Sequence, residues 1–403
     1  MCVAWRGVQR IQAMSSSNLA RVANRTVLMP LVLVALGCGG GGDTADEHAP
    51  TPATTPHTTA TAPQPTASST AARAWAVGSE HGRGVIVRSE DGGASWSVIL
   101  TPSASLNGVH FVNRSDGWTV GANEILHTSD GGDSWVSQIG GVPASNGTPL
   151  LSKVTFVIDR RGIAVGSLNI AGREFGPPLI LLTTDGGEHW TSAIIAPGQR
   201  PALQSGVLHD VCLTTGGIGL AVGFGVSGNL ALLSTDSGAT WSDITEQIGS
   251  RLADQPEGVA CSGPSDLWIV GSGSTRVAHS ADAATTWTDQ TSNLPSGDPG
   301  GLFGITFVDP ATGWAAGGGP FVLHTVDGGM SWLDQPLPGG MDGSGLLAIS
   351  FATANVGAAV GVNESNILAL VAVGFATHDG GKIWTQSSAP PGILDLFDVS
   401  VVE

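Results

Sequence analysis

Three arrangements of apolar and polar residues recur in step along this chain. The first sets apolar side chains at positions i, i+3 and i+5. Its instances are Leu106/Val109/Phe111, Leu151/Val154/Phe156, Leu208/Val211/Leu213, Leu302/Ile305/Phe307 and Leu346/Ile349/Phe351, with Val259/Cys261 a weaker form. Ten residues beyond its last member stands a Gly that closes a second arrangement, a short apolar run. These runs read WAVG at 75–78, WTVG at 118–121, IAVG at 163–166, LAVG at 220–223, WIVG at 268–271, WAAG at 314–317 and AAVG at 358–361. The third arrangement is a polar octet ending in Trp. It reads SEDGGASW at 89–96, TSDGGDSW at 128–135, TTDGGEHW at 183–190, STDSGATW at 234–241, SADAATTW at 280–287, TVDGGMSW at 325–332 and THDGGKIW at 377–384.

All seven octets start with Ser or Thr. All have Asp third, at Asp91, Asp130, Asp185, Asp236, Asp282, Asp327 and Asp379, and Trp last, at Trp96, Trp135, Trp190, Trp241, Trp287, Trp332 and Trp384. The Trp spacings of 39, 55, 51, 46, 45 and 52 match one unit per four-stranded propeller blade, which needs about 40–50 residues. The octet suits a hairpin between third and fourth strands. Asp accepts N–H bonds inside its own turn and Gly supplies positive φ. Blade 5, where Ala283 and Ala284 replace both glycines, is expected to have the least regular turn. The second and third arrangements occur seven times, but the first occurs only six times between them. The missing copy, Leu396/Val399/Val401, lies in the last eight residues. The pattern therefore predicts an all-β fold over residues 73–403, a seven-bladed β-propeller. Its first blade takes its innermost strand from the C-terminus, which closes the ring and leaves no open sheet edge.

Composition sharpens this picture. Gly is 59 of 403 residues and charged residues are 12%, about twice and half the usual shares. Every acidic residue lies beyond residue 37, where 12 basic side chains face 33 acidic ones, a net of −21. Such a surface repels phosphate backbones, so no nucleic-acid partner is expected. The chain has no Tyr.

Residues 1–37 carry Arg6, Arg10, Arg21 and Arg25, and then an apolar stretch, 27–37, interrupted by Pro30. The stretch is too short to span a bilayer. Basic, then apolar, then small residues form an export signal. Ala35-Leu36-Gly37-Cys38 resembles a bacterial lipobox, which implies that Cys38 is acylated and becomes the first mature residue. Gly39 in place of Asp favours the outer membrane in a Gram-negative cell. Met14 is an alternative start. Residues 38–72 hold the Cys and a Gly-, Pro- and Thr-rich segment that reads as a flexible tether.

The candidate chemistry is sparse. The seven octet Asp residues belong to different blades, so they are expected to staple turns rather than to share a proton or a metal. His127, His279 and His324 precede octet Asp residues by three places and read as repeat positions, too far apart for one metal ion. Cys212 and Cys261 fall on neighbouring innermost strands. Sheets packed ~10 Å apart and the different phase of the two positions favour free thiols over a bridge. No catalytic residue, metal or cofactor is assigned. The loops opposite the octet turns vary most, and they nominate Glu80, His81, Arg83, Asn169, Arg173, Glu174, Phe175 and Glu364 as a binding rim.

The octet pattern S/T-x-D-x-G-x-T/S-W resembles the Asp box, or bacterial neuraminidase repeat, over residues 73–402. Sialidases of that kind need an Arg triad and a Tyr nucleophile, and this chain lacks Tyr and the Arg-Ile-Pro signature. The cadence of residues 116–135 and 312–332 is similar to the photosystem II stability/assembly factor family. That resemblance implies a single exported seven-bladed ring, not an enzyme, that binds assembly intermediates of membrane proteins through an Arg-rich surface. Here Arg is scarce, so the resemblance implies a monomeric, membrane-anchored binding scaffold for an envelope or membrane protein rather than a particular partner. A carbohydrate-directed propeller, binding or hydrolysing a glycan, is the alternative.

Overall fold

The structure, a computed structural model, describes residues 71–403 apart from 143–146, 159, 172–175, 198–200, 226–227, 274–275, 296–300, 320, 340–343 and 364–369. The residues expected to form an export signal and tether, with Cys38 between them, lie outside the described residues.

Each repeat becomes one antiparallel sheet. Blade 2, for example, runs Leu106–Phe111, Gly117–Gly121, Glu124–Thr128 and Val136–Ser137 from the innermost strand outward. The i, i+3, i+5 spacing has a structural cause. The first two strands shift register between Leu106 and Gly108, and the shift recurs between Leu208 and Asp210, Pro256 and Gly258, Leu302 and Gly304, and Leu346 and Ala348. A bulge adds one residue to a strict alternation, so i and i+3 face the same side. Beyond the bulge the period of two returns and places i+5 there as well. The sheet of blade 4 gains a fifth strand, Ile194–Ile195, parallel to Thr240–Asp243. The sole α-helix among the described residues is Thr245–Ile248.

The ring closes as the repeat count requires. Asp395–Val402 pairs with Arg73–Glu80, setting Val401 opposite Ala74 and Val399 opposite Ala76. Each first strand touches the first strand of the next blade, and this last strand touches those of blades 7 and 2. The core is divided into seven clusters, one at each blade junction.

Four junctions share one aromatic arrangement. The Trp of the second strand stacks on the first-strand Phe of the next blade, and that Phe meets the octet Trp of its own blade edge-on. The stacked pairs are Trp75–Phe111, Trp118–Phe156 and Trp314–Phe351, each at 3.6 Å between ring centres, and Trp268–Phe307 at 4.7 Å. The edge contacts are Phe111–Trp135, Phe156–Trp190, Phe307–Trp332 and Phe351–Trp384, at 5.9–6.2 Å.

At the junction of blades 4 and 5 the place of that Phe is taken by Cys261, which is disulfide-bonded to Cys212 with Cα atoms 5.7 Å apart. This overturns the expectation of free thiols. The ~10 Å spacing of stacked sheets holds for parallel layers, whereas blades fan out from an axis and converge at their innermost strands.

Two outcomes follow from this architecture. Removing residues 393–403 strips Leu396, Val399 and Val401, whose burial contributes on the order of 5–9 kcal/mol. Calorimetry of the truncated chain should show no cooperative transition. Replacing Cys212 and Cys261 by Ser frees a crosslink of sequence separation 49. Denaturant titration should show a loss of about 4 kcal/mol by the loop-entropy relation.

Candidate functional site

The octet turns are built alike in all seven blades. In blade 2 the Thr128 hydroxyl donates to Asp130 Oδ1 at 2.7 Å and accepts the Gly132 N–H at 2.8 Å. Asp130 also accepts the Ser134 N–H at 2.9 Å and the Ser134 hydroxyl at 2.5 Å. Asp130 is thereby lowered to about 2, chiefly by the Ser134 hydroxyl and N–H. Asp236, Asp282 and Asp327 are lowered the same way by Thr240, Thr286 and Ser331. The fourth residue of each octet donates its N–H to the loop between first and second strands, as Gly131 does to Ser115 at 2.8 Å. In blade 1 the acceptor is Ala72 at 2.7 Å, so the chain enters the ring on this octet face.

Blade 5 departs from expectation. Its turn keeps the full pattern, with Ala284 N–H to Ser280 Oγ at 2.9 Å and Thr286 N–H to Asp282 Oδ1 at 2.8 Å. The cost is conformational instead, because Ala283 and Ala284 are held at φ 56° and 68°. A side chain in that region costs about 1–2 kcal/mol per residue.

His127, His279 and His324 stack on Trp118, Trp268 and Trp314 of their own blades, with ring centres 4.6, 3.9 and 4.7 Å apart. A different group comes together as a possible ligand set: Asp185, Glu188 and His189, whose ligand atoms lie within 4.8 Å of one another. His189 fills the octet place held elsewhere by a hydroxyl, and its Nδ1 lies 2.8 Å from Asp185 Oδ2. That contact accounts for the grouping.

The described members of the nominated rim lie on the opposite face. Glu80, His81 and Arg83 share one hairpin, whose turn residues His81 and Gly82 both have positive φ. His81 and Arg83 are exposed, Glu80 is half-buried, and Arg83 donates to Thr101 O at 3.1 Å. Asn169 is exposed at the end of the second strand of blade 3, on a separate hairpin. Arg173, Glu174, Phe175 and Glu364 lie outside the described residues.

Sequence reasoning missed the axis. Lys153 of blade 3 reaches Asp398 of blade 1 at 2.6 Å, passing blade 2 altogether, which is possible only across the central opening. Asp398 also accepts the Val109 N–H at 2.9 Å, and Asp210 accepts that of Val259 at 2.9 Å. Burial pushes Asp210 up. His110 is held down to about 4, first by burial and then by the Lys153 ammonium. Glu257 of blade 5 lies 2.9 Å from His209 Nδ1 of blade 4. On the closing strand of blade 1, Asp395 accepts the Ser79 N–H at 2.8 Å and is pushed up to about 6 by burial. The available signal was position i+2 of the first arrangement, where Lys153, Asp210 and Asp398 interrupt Gly and Ala. These groups tie blade to blade through N–H bonds and an ion pair.

The architecture defines a closed seven-bladed β-propeller whose polar clusters hold blades together. No family model matches the chain. It is 27% identical over 184 residues to the photosystem II assembly lipoprotein Ycf48 of Synechococcus sp. (strain CC9902), covering 44% of this chain and 50% of that protein. It is 23% identical over 270 residues to the chloroplastic photosystem II stability/assembly factor HCF136 of Arabidopsis thaliana, covering 62% of each. The chain thus spans between half and two thirds of the length of these relatives. Both relatives are named as assembly factors, not enzymes. A solved structure of YCF48 bound to D1 peptide has the same fold, with a TM-score of 0.52 and 18% identity over 79% of this chain and 89% of that one.

Two buried groups contribute to the pH dependence of stability with opposite sign. Asp395 binds its proton more tightly folded than unfolded, so its contribution falls as pH rises from about 4 to about 6. His110 binds its proton less tightly folded, so its contribution rises from about pH 4 to about 6.5. Asp395→Asn should remove the falling contribution, so that stability rises more steeply with pH between about 4 and about 6 than in the native protein, read by melting at each pH. Below about pH 4 the octet carboxylates protonate and stability should fall toward pH 2. Ala283→Gly should stabilise by about 1 kcal/mol in the same melts.

Proposed function

We propose that this protein is an exported, lipid-anchored, non-catalytic scaffold that binds and helps assemble a membrane or cell-envelope protein. The likeness to two assembly factors carries this reading. The lipobox-like Ala35-Leu36-Gly37-Cys38 supports the anchor, and Ycf48 is itself named as a lipoprotein. No helix among the described residues is long and apolar enough to cross a membrane. Cys38 is the attachment proposed here. The tether between Cys38 and the ring suits a domain held close to its membrane. The octet Asp and Trp residues serve as turn and junction staples, and the octets make this an Asp-box propeller.

The client is read by the face opposite the octets. Hairpin loops carry recognition while the blades fix their positions. Glu80, His81, Arg83 and Asn169 supply polar contacts there, and Arg173, Glu174, Phe175 and Glu364 complete the rim. The rim holds both signs of charge, which suits a mixed polar peptide segment better than a uniformly acidic or basic one.

Crosslinking of the native protein in its own membranes, followed by mass spectrometry, should recover one stoichiometric membrane or envelope protein. Arg173→Ala combined with Phe175→Ala should weaken that complex by about tenfold or more. Unchanged affinity would remove blade 3 from the site.

A further inference from the structure

We propose that the octet side of blades 6 and 7 rests on the lipid bilayer that carries the anchor, turning the opposite face toward the client. The proposal rests on the lipid-anchor reading above and adds an orientation to it. Blade 2 presents one apolar side chain beside its octet, Val136, exposed by 65%, whereas blade 6 presents three within one hairpin, Val326, Met330 and Leu333, exposed by 64, 71 and 65%. Blade 7 adds Ile383, exposed by 66%.

Ile383 is not a turn requirement. At its place five blades carry a Ser or Thr that donates to Asp Oδ2. Ile383 gives up that bond and leaves a large apolar side chain in water. Lys382 stands exposed beside it. Apolar side chains next to a long cation suit the interfacial layer of a bilayer, where the ammonium reaches the headgroups.

The position of the chain's entry into the ring selects the occupant. Blades 6 and 7 are joined through Gln335, which donates to Gly380 O at 2.9 Å and accepts from Trp384 Nε1 at 3.0 Å. Blade 7 is joined to the octet turn of blade 1 by Trp96 N–H to Ser388 O at 3.1 Å and by the Ser387 hydroxyl to Gly93 O. That same turn holds Ala72, and Arg114 donates to Ala71 O at 3.0 Å. Ala72 therefore lies on the face of the apolar patch, one sector away. On the tether reading, a random coil of roughly 33 residues reaches about 30 Å. An anchored ring thus meets its own membrane at high effective concentration, and a small patch suffices to orient it. The strong net negative charge favours zwitterionic over anionic lipid.

The test uses the full acylated chain in phosphatidylcholine vesicles. With Cys38 acylated and Cys212 bonded to Cys261, an introduced Cys is the single free thiol of the mature chain. A fluorophore on Met330→Cys and, separately, on Asn169→Cys is challenged with a quencher on the lipid acyl chain. Quenching should be at least threefold stronger at 330, and Leu333→Asp with Ile383→Asp should bring it down to the level at 169. Equal quenching in protein that floats with the vesicles would overturn the orientation and leave the anchor standing. Protein that fails to float and lacks acyl mass on Cys38 would overturn both. Equal quenching with position 330 buried by an added membrane protein would assign the patch to a protein partner and overturn the proposal.

Discussion

The contact between one blade and the next governs this protein. A four-stranded sheet cannot bury both faces alone, so each blade is stable only as far as its neighbours cover it. Here the cover is made the same way at four junctions, with Trp on Phe face to face and Phe against the octet Trp edge-on. The indoles of Trp75, Trp118 and Trp314 then donate to Gly131, Gly186 and Gly380 in the octet turn of the following blade. One aromatic residue thus fills the apolar gap and satisfies a buried donor. Its bond also fixes the neighbouring turn.

The other junctions show what happens when that arrangement is missing. Between blades 4 and 5 the stacking Phe is replaced by Cys261, and a disulfide, the Asp210 bond to Val259 and the His209–Glu257 pair cross the same boundary. Between blades 7 and 1 the contact is aliphatic, built from Val399, Val401, Ala358 and Trp96. Val401 N–H donates to Ser350 Oγ of blade 7 at 3.1 Å, Trp96 N–H donates to Ser388 O at 3.1 Å, and the Ser387 hydroxyl donates to Gly93 O across that boundary. Both junctions thus add a disulfide or hydrogen bonds to their apolar contact.

The two faces of the ring differ in how much freedom they have. The octet face is bound by repeated hydrogen bonds that constrain most of its residues, which makes the exposed Val326, Met330, Leu333 and Ile383 conspicuous. On the opposite face blades 2 and 6 share two loop bonds, Ala122 N–H to Ser105 O and Gly318 N–H to Gly301 O at 3.0 Å, and Asn123 N–H to Pro149 O and Gly319 N–H to Ser344 O at 2.8 and 3.2 Å.

The sequence by itself determined the blade count, the strand order within each blade and the closure by the C-terminus. Those properties are periodic, and periodicity survives in one dimension. It also marked the octet Asp and Trp residues, because each acts within its own turn or its own blade. Tertiary structure decided what depends on distance between repeats. The Cys212–Cys261 bridge forms because blades converge toward the axis, and a spacing taken from parallel sheets missed that convergence. Lys153 and Asp398 are 245 residues apart in sequence and pair across the central opening. The strain at Ala283 and Ala284 appears as backbone angles rather than as a lost hydrogen bond. A repeat fixes what a residue does for its own blade, whereas ring closure fixes what it meets in the others.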